Sequence, residues 1–302
     1  MIKNVIFGKQ SKITTSIVNN LDDVKIISAN NLNYSKLRDN SQKKTNYIFN
    51  NFYPSFKLNN LNSANFQKFV DLSIVSLIQI LSNLPKKNIN KIIYTSSASV
   101  YNLADGLMDT EVDTFNRKLY ASFKYSAEKI IQNFCQSKNL KFYIMRIFNT
   151  YGDHKDQFSF VEKLIKVKRK NLYLNLINNG ISLRDFIHLS DVGAIYKKFL
   201  INEYDSGVYD IGTGKGVLIK NLVEFSNIDK KKIINKNNIS QINRSIADTK
   251  KLQKNLDGFK FKSLDSYLRD RLKIKNKNKL NFTKYNYQIT KYEGSVIYGA
   301  GF

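Results

Sequence analysis

The 302 residues are 42% hydrophobic and carry 49 Lys and Arg against 24 Asp and Glu, a formal charge of +25. A chain of this kind can bury a sizeable core, which excludes peptide, fibre and disordered readings. The excess Lys is spread along the whole sequence beside Asn and Ile, with no block of five or six like charges. It therefore reads as a compositional bias and not as a nucleic-acid stripe, while still favouring anionic ligands at long range.

A single Cys, Cys135, excludes an internal disulfide, and with only two His, His154 and His188, no zinc site is expected. No run of 18 apolar residues occurs, and Val5-Ile6-Phe7 stops at Gly8, too short for a signal-peptide core. A soluble, cytoplasmic protein in a reducing compartment is the expectation.

In chain order, Val5 to Phe7 reads as a strand, followed by a helical stretch to Leu21 and a strand at Val24 to Ser28. Tyr47 to Asn50 and Lys91 to Thr95 are further strands. Between them Phe66, Phe69, Val70, Leu77 and Leu81 recur at helical spacing, predicting a helix over Phe66 to Leu84 closed by Pro85. Tyr120 to Ser137 reads as a helix, with Cys135 as a buried or interface residue on it, and Leu140 to Ile147 reads as a strand. Helices at Asp191 to Leu200 and Leu218 to Phe225 flank a strand at Val208 to Ile211, and the pattern runs to about Leu272. Such a rhythm predicts parallel strands joined by crossover helices.

The chemistry-bearing stretch is Lys91-Ile-Ile-Tyr-Thr-Ser-Ser97-Ala-Ser-Val-Tyr101, a buried strand ending in hydroxyls. Carboxyl ends of strands are where open α/β sheets bind ligands. Tyr120-Ala-Ser-Phe-Lys124 then places Tyr and Lys four apart on one helix face. A Tyr phenol titrates near ~10 when unperturbed, and an adjacent ammonium favours phenolate, which brings the group into range for acid-base work.

Over about residues 2 to 270 the sequence resembles the extended short-chain dehydrogenase/reductases, and within them the NAD-dependent epimerase/dehydratase branch that acts on nucleotide sugars. Ser97, Tyr120 and Lys124 match that family's Ser-Tyr-Lys triad, and Ser126-Ala-Glu128 continues the helix as the family does. Met145-Arg-Ile-Phe148-Asn149-Thr-Tyr-Gly152 is similar to the strand leading into the substrate loop, so Phe148 and Asn149 are substrate contacts by resemblance, with His154 in the loop beyond. Ser182-Leu-Arg184-Asp185-Phe-Ile-His188 is similar to the family's Arg-Asp-Phe-Ile-His segment, whose Arg holds a substrate phosphate and whose Asp and His are mainly structural. Val208 to Gly214 and Ala247-Asp248-Thr249 follow in family order.

The resemblance implies an α/β fold: a Rossmann-like doubly wound parallel sheet in a domain over residues 1–272. A smaller C-terminal substrate-binding subdomain would be formed mainly by residues 151–185 and 206–272. It implies NAD or NADP, held by Gly8, Ser11, Lys12, Ile13, Tyr120 and Lys124, and a nucleotide-sugar substrate held by Ser97, Phe148, Asn149 and Arg184. No metal, nucleic acid or membrane is implied, and helices 66–84 and 120–137 are the pair that relatives use to form a homodimer. The 4,6-dehydratases of the family carry an Asp-Glu pair before the Val-Tyr where this chain has Ala98-Ser99, so the resemblance narrows to a 4-epimerase or 4-ketoreductase of surface-polysaccharide synthesis.

Two departures bear on the cofactor. A dinucleotide loop normally carries three glycines, whereas Gly8-Lys-Gln-Ser11-Lys12-Ile13-Thr14 keeps only the first, and admitting Thr14 requires the helix to move outward. Lys9 and Lys12 supply charge there. The second strand ends in Ser28-Ala29-Asn30 without the usual ribose-binding carboxylate, Arg38 reads as a solvated helix residue with a 2′-phosphate contact as the alternative, and Asn50 to Pro54 replaces a small-residue strand end. The family's second phosphate-binding Arg aligns with Asn238, with Lys236 and Arg244 as nearby substitutes. A pseudoenzyme with weakened cofactor binding is the alternative. Beyond Leu272, residues 273–293 read as a linker or tail, and the Gly-x-Gly of residues 294–302 as the start of a second, truncated Rossmann domain.

Overall fold

The computed structural model describes residues 2–8, 10–28, 32, 37, 43–50, 63–103, 112–156, 158–237, 244–275 and 279–284. Its strands in chain order are β1 (Lys3–Phe7), β2 (Val24–Ile27), β3 (Thr45–Phe49), β4 (Ile89–Ser97), β5 (Lys141–Ile147), β6 (Asn149–Tyr151), β7 (Leu174–Ile177), β8 (Leu183–His188), β9 (Gly207–Ile211), β10 (Lys215–Leu218), β11 (Ile233–Lys236), β12 (Arg244–Ser245) and β13 (Thr283–Lys284). Its helices are α1 (Lys12–Val18), α2 (Ser63–Val70), α3 (Ser76–Asn83), α4 (Val112–Ser137), α5 (Phe160–Lys170), α6 (Leu189–Ile201), α7 (Ile219–Phe225), α8 (Lys250–Asn255) and α9 (Leu264–Leu272). The chain divides into two compact units, residues 1–146 with 193–209, and residues 147–192 with 210–302.

The first unit is built on the sheet β2-β1-β3-β4-β5-β9, in which β1 pairs in parallel with β2 and β3, and β3 in parallel with β4. Every residue of β3 is buried, as expected of a central parallel strand covered on both faces. The direction of winding reverses between β1 and β3, so their carboxyl ends form the switch point at which such sheets take ligands. Phe7, Phe49, Leu77, Ile80, Ile92, Ile131 and Cys135 fill the core. The helix expected over Phe66 to Leu84 is α2 and α3 joined by a π turn at Asp71–Val75, and Leu84 turns extended before Pro85. The helix expected to open at Tyr120 opens instead at Val112, a start that Val112, Phe115 and Leu119 at spacings of three and four would have signalled.

In the second unit β8 pairs antiparallel with β10 and, along its other edge, in parallel with β12; β6 also pairs in parallel with β8, and β7 and β11 form a separate parallel pair. Tyr151, Leu164, Leu174, Phe186, Val217, Leu222 and Leu268 make its core. Part of the segment expected to be a linker or tail is built into this unit. Leu280 is buried in that core, its N–H donates to the Asp265 carboxylate at 2.9 Å, and β13 pairs antiparallel with β10. A polar strand adds to a sheet edge through its backbone, so composition alone conceals it. Lys9, Ala29, Asn30, Arg38, Asn51 to Pro54, Asn238 and residues 294–302 lie outside the described residues. No helix among the described residues is long and apolar enough to cross a membrane.

Candidate active site

Helix α4 carries Tyr120 and Lys124 one turn apart, packed against β4. Lys124 is buried; its Nζ donates to the Thr95 carbonyl at 2.9 Å and stands 5.0 Å from the centre of the Tyr94 ring and 5.9 Å from that of Tyr120. Burial brings this ammonium down to about 7, against the opposing pull of the Glu128 carboxylate. Two residues beyond Thr95 on the same side of β4 comes Ser97, half-buried, whose Oγ accepts the Ser99 N–H at 3.2 Å.

An ion pair between buried Glu128 and half-buried Arg146 supports this arrangement and is not evident from the sequence. Glu128 accepts from Arg146 Nε at 3.1 Å and Nη2 at 2.7 Å, and from the Ser96 hydroxyl, while the Arg146 guanidinium lies 4.6 Å from the centre of the Tyr101 ring. It ties α4 to β5 and to the end of β4. The available signal was Glu128 four residues past Lys124, on the same helical face, with a lone Arg inside an apolar strand.

At the switch point Gly8 ends β1 with φ +138°, a conformation that L side chains rarely adopt, and its N–H donates to the Ile27 carbonyl at 3.0 Å. Ser11 caps α1, its Oγ accepting the Thr14 N–H at 3.2 Å, and Lys12 and Ile13 open the helix half-buried. Thr14 is accommodated by a partner: fully buried, its Oγ1 accepts from Asn50 Nδ2 at 2.7 Å and lies 3.0 Å from Ser11 Oγ.

In the second unit Phe148 is buried, and Asn149, exposed, donates from Nδ2 to the Asp185 carbonyl at 2.8 Å. Arg184, on β8, donates from Nη1 to the Leu183 carbonyl at 3.0 Å, and burial brings its guanidinium down to about 10. The Asp185 carboxylate is fully buried and accepts from Thr213 N and Oγ1, Gly214 N and Ala247 N at 2.6–3.2 Å. Burial pushes its pKa up while these four donors pull it down.

His188 Nδ1 accepts the Ser190 N–H at 3.1 Å and lies 2.8 Å from the Ser190 hydroxyl. Burial, with Lys262 nearby, brings the ring down to about 4, so it is neutral at pH 7. Its face covers Gly152, at φ +108°, where a Cβ would stand 2.5 Å from Nε2. His154 is exposed, and Cys135 is buried with its thiol pushed up to about 12 by burial. Among the described residues no group of three or more His, Cys, Asp or Glu could hold a metal.

A parallel sheet with a glycine turn at its switch point and a Tyr-Lys pair beside a hydroxyl-bearing strand end define a Rossmann-like α/β protein. The sequence profile of the NAD dependent epimerase/dehydratase family matches residues 6–212, and the chain belongs to that family. It is 27% identical over 162 residues to a human dTDP-D-glucose 4,6-dehydratase, covering 49% of this chain and 45% of that protein. Against an ADP-L-glycero-D-manno-heptose-6-epimerase of Fusobacterium nucleatum the identity is 34% over 146 residues, 43% of this chain and 44% of that one. The chain thus spans about half the length of these curated relatives. The fold is similar to that of a UDP-N-acetylglucosamine 4-epimerase from Methanobrevibacter ruminantium in complex with UDP-N-acetylmuramic acid, with a TM-score of 0.69 and 21% identity over 90% of this chain and 97% of that one.

The family is NAD-dependent, and the residues present fit the dinucleotide with one adaptation. The Gly8 turn at the switch point and the buried Lys124 beside Tyr120 are in place. Hydrogen-bonded side chains stand where two glycines are missing.

Proposed function

We propose that the chain is an NAD(P)-dependent enzyme acting on a nucleotide sugar, as a 4-epimerase or 4-ketoreductase. The observation that carries this reading is the buried Lys124 ammonium one helical turn from Tyr120, its Nζ 5.9 Å from the centre of the Tyr120 ring. A bound nicotinamide supplies hydride exchange with the sugar carbon. Tyr120 Oη takes or returns the proton of the reacting hydroxyl, the Ser97 hydroxyl holds the same oxygen, and Lys124 favours the phenolate and holds the nicotinamide ribose. Gly8, Ser11, Lys12 and Ile13 are the residues proposed to hold the pyrophosphate. Ala98 and Ser99 carry no carboxylate for eliminating water, which supports epimerisation or keto-sugar reduction over dehydration. Incubation with NAD or NADPH and a panel of nucleotide hexoses and their 4-keto forms, followed by NMR at C4, tests the reading. Complete inertness toward the panel removes it.

Arg184, with Phe148 and Asn149, is assigned to the nucleotide-sugar side. Arg184→Ala is expected to weaken binding of a nucleoside diphosphate by about 10-fold or more with kcat little changed, because a guanidinium fork grips phosphate in ground state and transition state alike. Calorimetric titration with UDP and dTDP measures this, and unchanged affinity confines Arg184 to a structural role in β8. Exposed Phe66, Val75, Ile78 and Tyr125 on the 63–83 and 112–137 helical runs support a homodimer through these helices; a single-chain mass in light scattering speaks against it. The filled glycine loop favours the pseudoenzyme as second reading, and failure to bind NAD or NADP at millimolar concentration would select it.

A further inference from the structure

We propose that Asn50 and Thr14 form a hydrogen-bonded pair that takes over the task of the missing third glycine, which makes Asn50 a positioning residue for the dinucleotide. The inference rests on the reading that the Gly8 to Thr14 loop holds the cofactor.

The third glycine of such a loop lets the first helix lie close to the strands. Thr14 stands there with a branched side chain and no solvent exposure. On the helix side its hydroxyl meets Ser11 Oγ at 3.0 Å, and against an apolar strand it would have no polar partner across the helix-strand seam. The residue facing it is instead Asn50, itself 1% exposed and the first residue past β3, whose Nδ2 donates to Thr14 Oγ1 at 2.7 Å. An amide nitrogen carries two hydrogens, and the same Nδ2 lies 3.4 Å from Ser11 Oγ.

The backbone gives this contact its consequence. Asn50 N donates to the Phe7 carbonyl at 2.9 Å, the residue immediately before Gly8. Asn50 is therefore tied to the end of β1 through its main chain and to the first turn of α1 through its side chain. These are the two elements that frame the switch point between β1 and β3. The side chain sets how closely α1 approaches the strand ends, and with it where the Lys12 and Ile13 backbone stands. Exchanging either partner alone removes the 2.7 Å bond that joins strand end to helix and leaves Ser11 Oγ as the neighbour both share, so the two positions act as one unit.

A double-mutant cycle on NAD binding tests the pair. Thr14→Val keeps the shape and removes the hydroxyl; Asn50→Ala removes the amide. Each single variant is expected to raise the Kd for NAD about 10-fold, the scale of coupling within one buried hydrogen-bond network. The Thr14→Val/Asn50→Ala double variant should bind no more weakly than the poorer single one, and Thr14→Ser, which keeps the hydroxyl, should bind as the parent does. Melting temperatures are recorded alongside, because a role confined to stability lowers Tm while leaving the Kd of the folded protein unchanged. Unchanged Kd in both single variants, or fully additive losses in the double one, overturns the pair while leaving the proposed function standing. A parent protein that binds neither NAD nor NADP at millimolar concentration overturns both.

Discussion

Replacing Tyr120 by Phe is expected to lower turnover by at least ~10²-fold, the scale of one positioned acid-base group. The substitution removes a single hydroxyl from a half-buried ring that Phe fills equally well. Lys124 keeps its bond to the Thr95 carbonyl and its place over Tyr94, so the fold and the affinity for NAD should change little. Loss of rate with an unchanged Kd for NAD is thus the signature of a proton-transfer role. Near-parental turnover of a nucleotide sugar that the parent converts would remove Tyr120 from the chemistry.

Asp185→Ala is expected to be the most damaging single change to stability, costing about 3 kcal/mol or more. Its carboxylate gathers the backbone N–H groups of Thr213, Gly214 and Ala247, so truncation takes the acceptor from three donors at once, those of Gly214 and Ala247 buried. Thr213 and Gly214 lead into β10 and Ala247 follows β12, both of which pair with β8, and the loss should spread to the strand that carries Arg184. Asp185→Asn, which keeps one acceptor oxygen, should cost less than the Ala variant. Urea denaturation of the two variants gives the comparison, and a change below about 1 kcal/mol for Asp185→Ala would show that water replaces the carboxylate.

The sequence by itself determined the α/β class, the central strands and the Tyr120-Lys124 spacing, because each is written in local periodicity: buried runs for parallel strands, and a four-residue offset for one helical face. Gly8 was equally legible, since a strand running into a glycine is a local signal. The tertiary structure alone decided which polar residues neutralise one another. Asn50 meets Thr14 across 36 residues, Arg146 meets Glu128 across 18, and the Lys91 ammonium reaches the carbonyls of Phe199 and Asn202 at the end of α6 across more than a hundred. It also decided that Leu280 and β13 join the second unit, through one apolar side chain and sequence-independent backbone bonds. Periodicity records which face of an element is buried, whereas a buried hydrogen bond depends on which other face arrives opposite it, and that is known only once the strands have taken their order in the sheet.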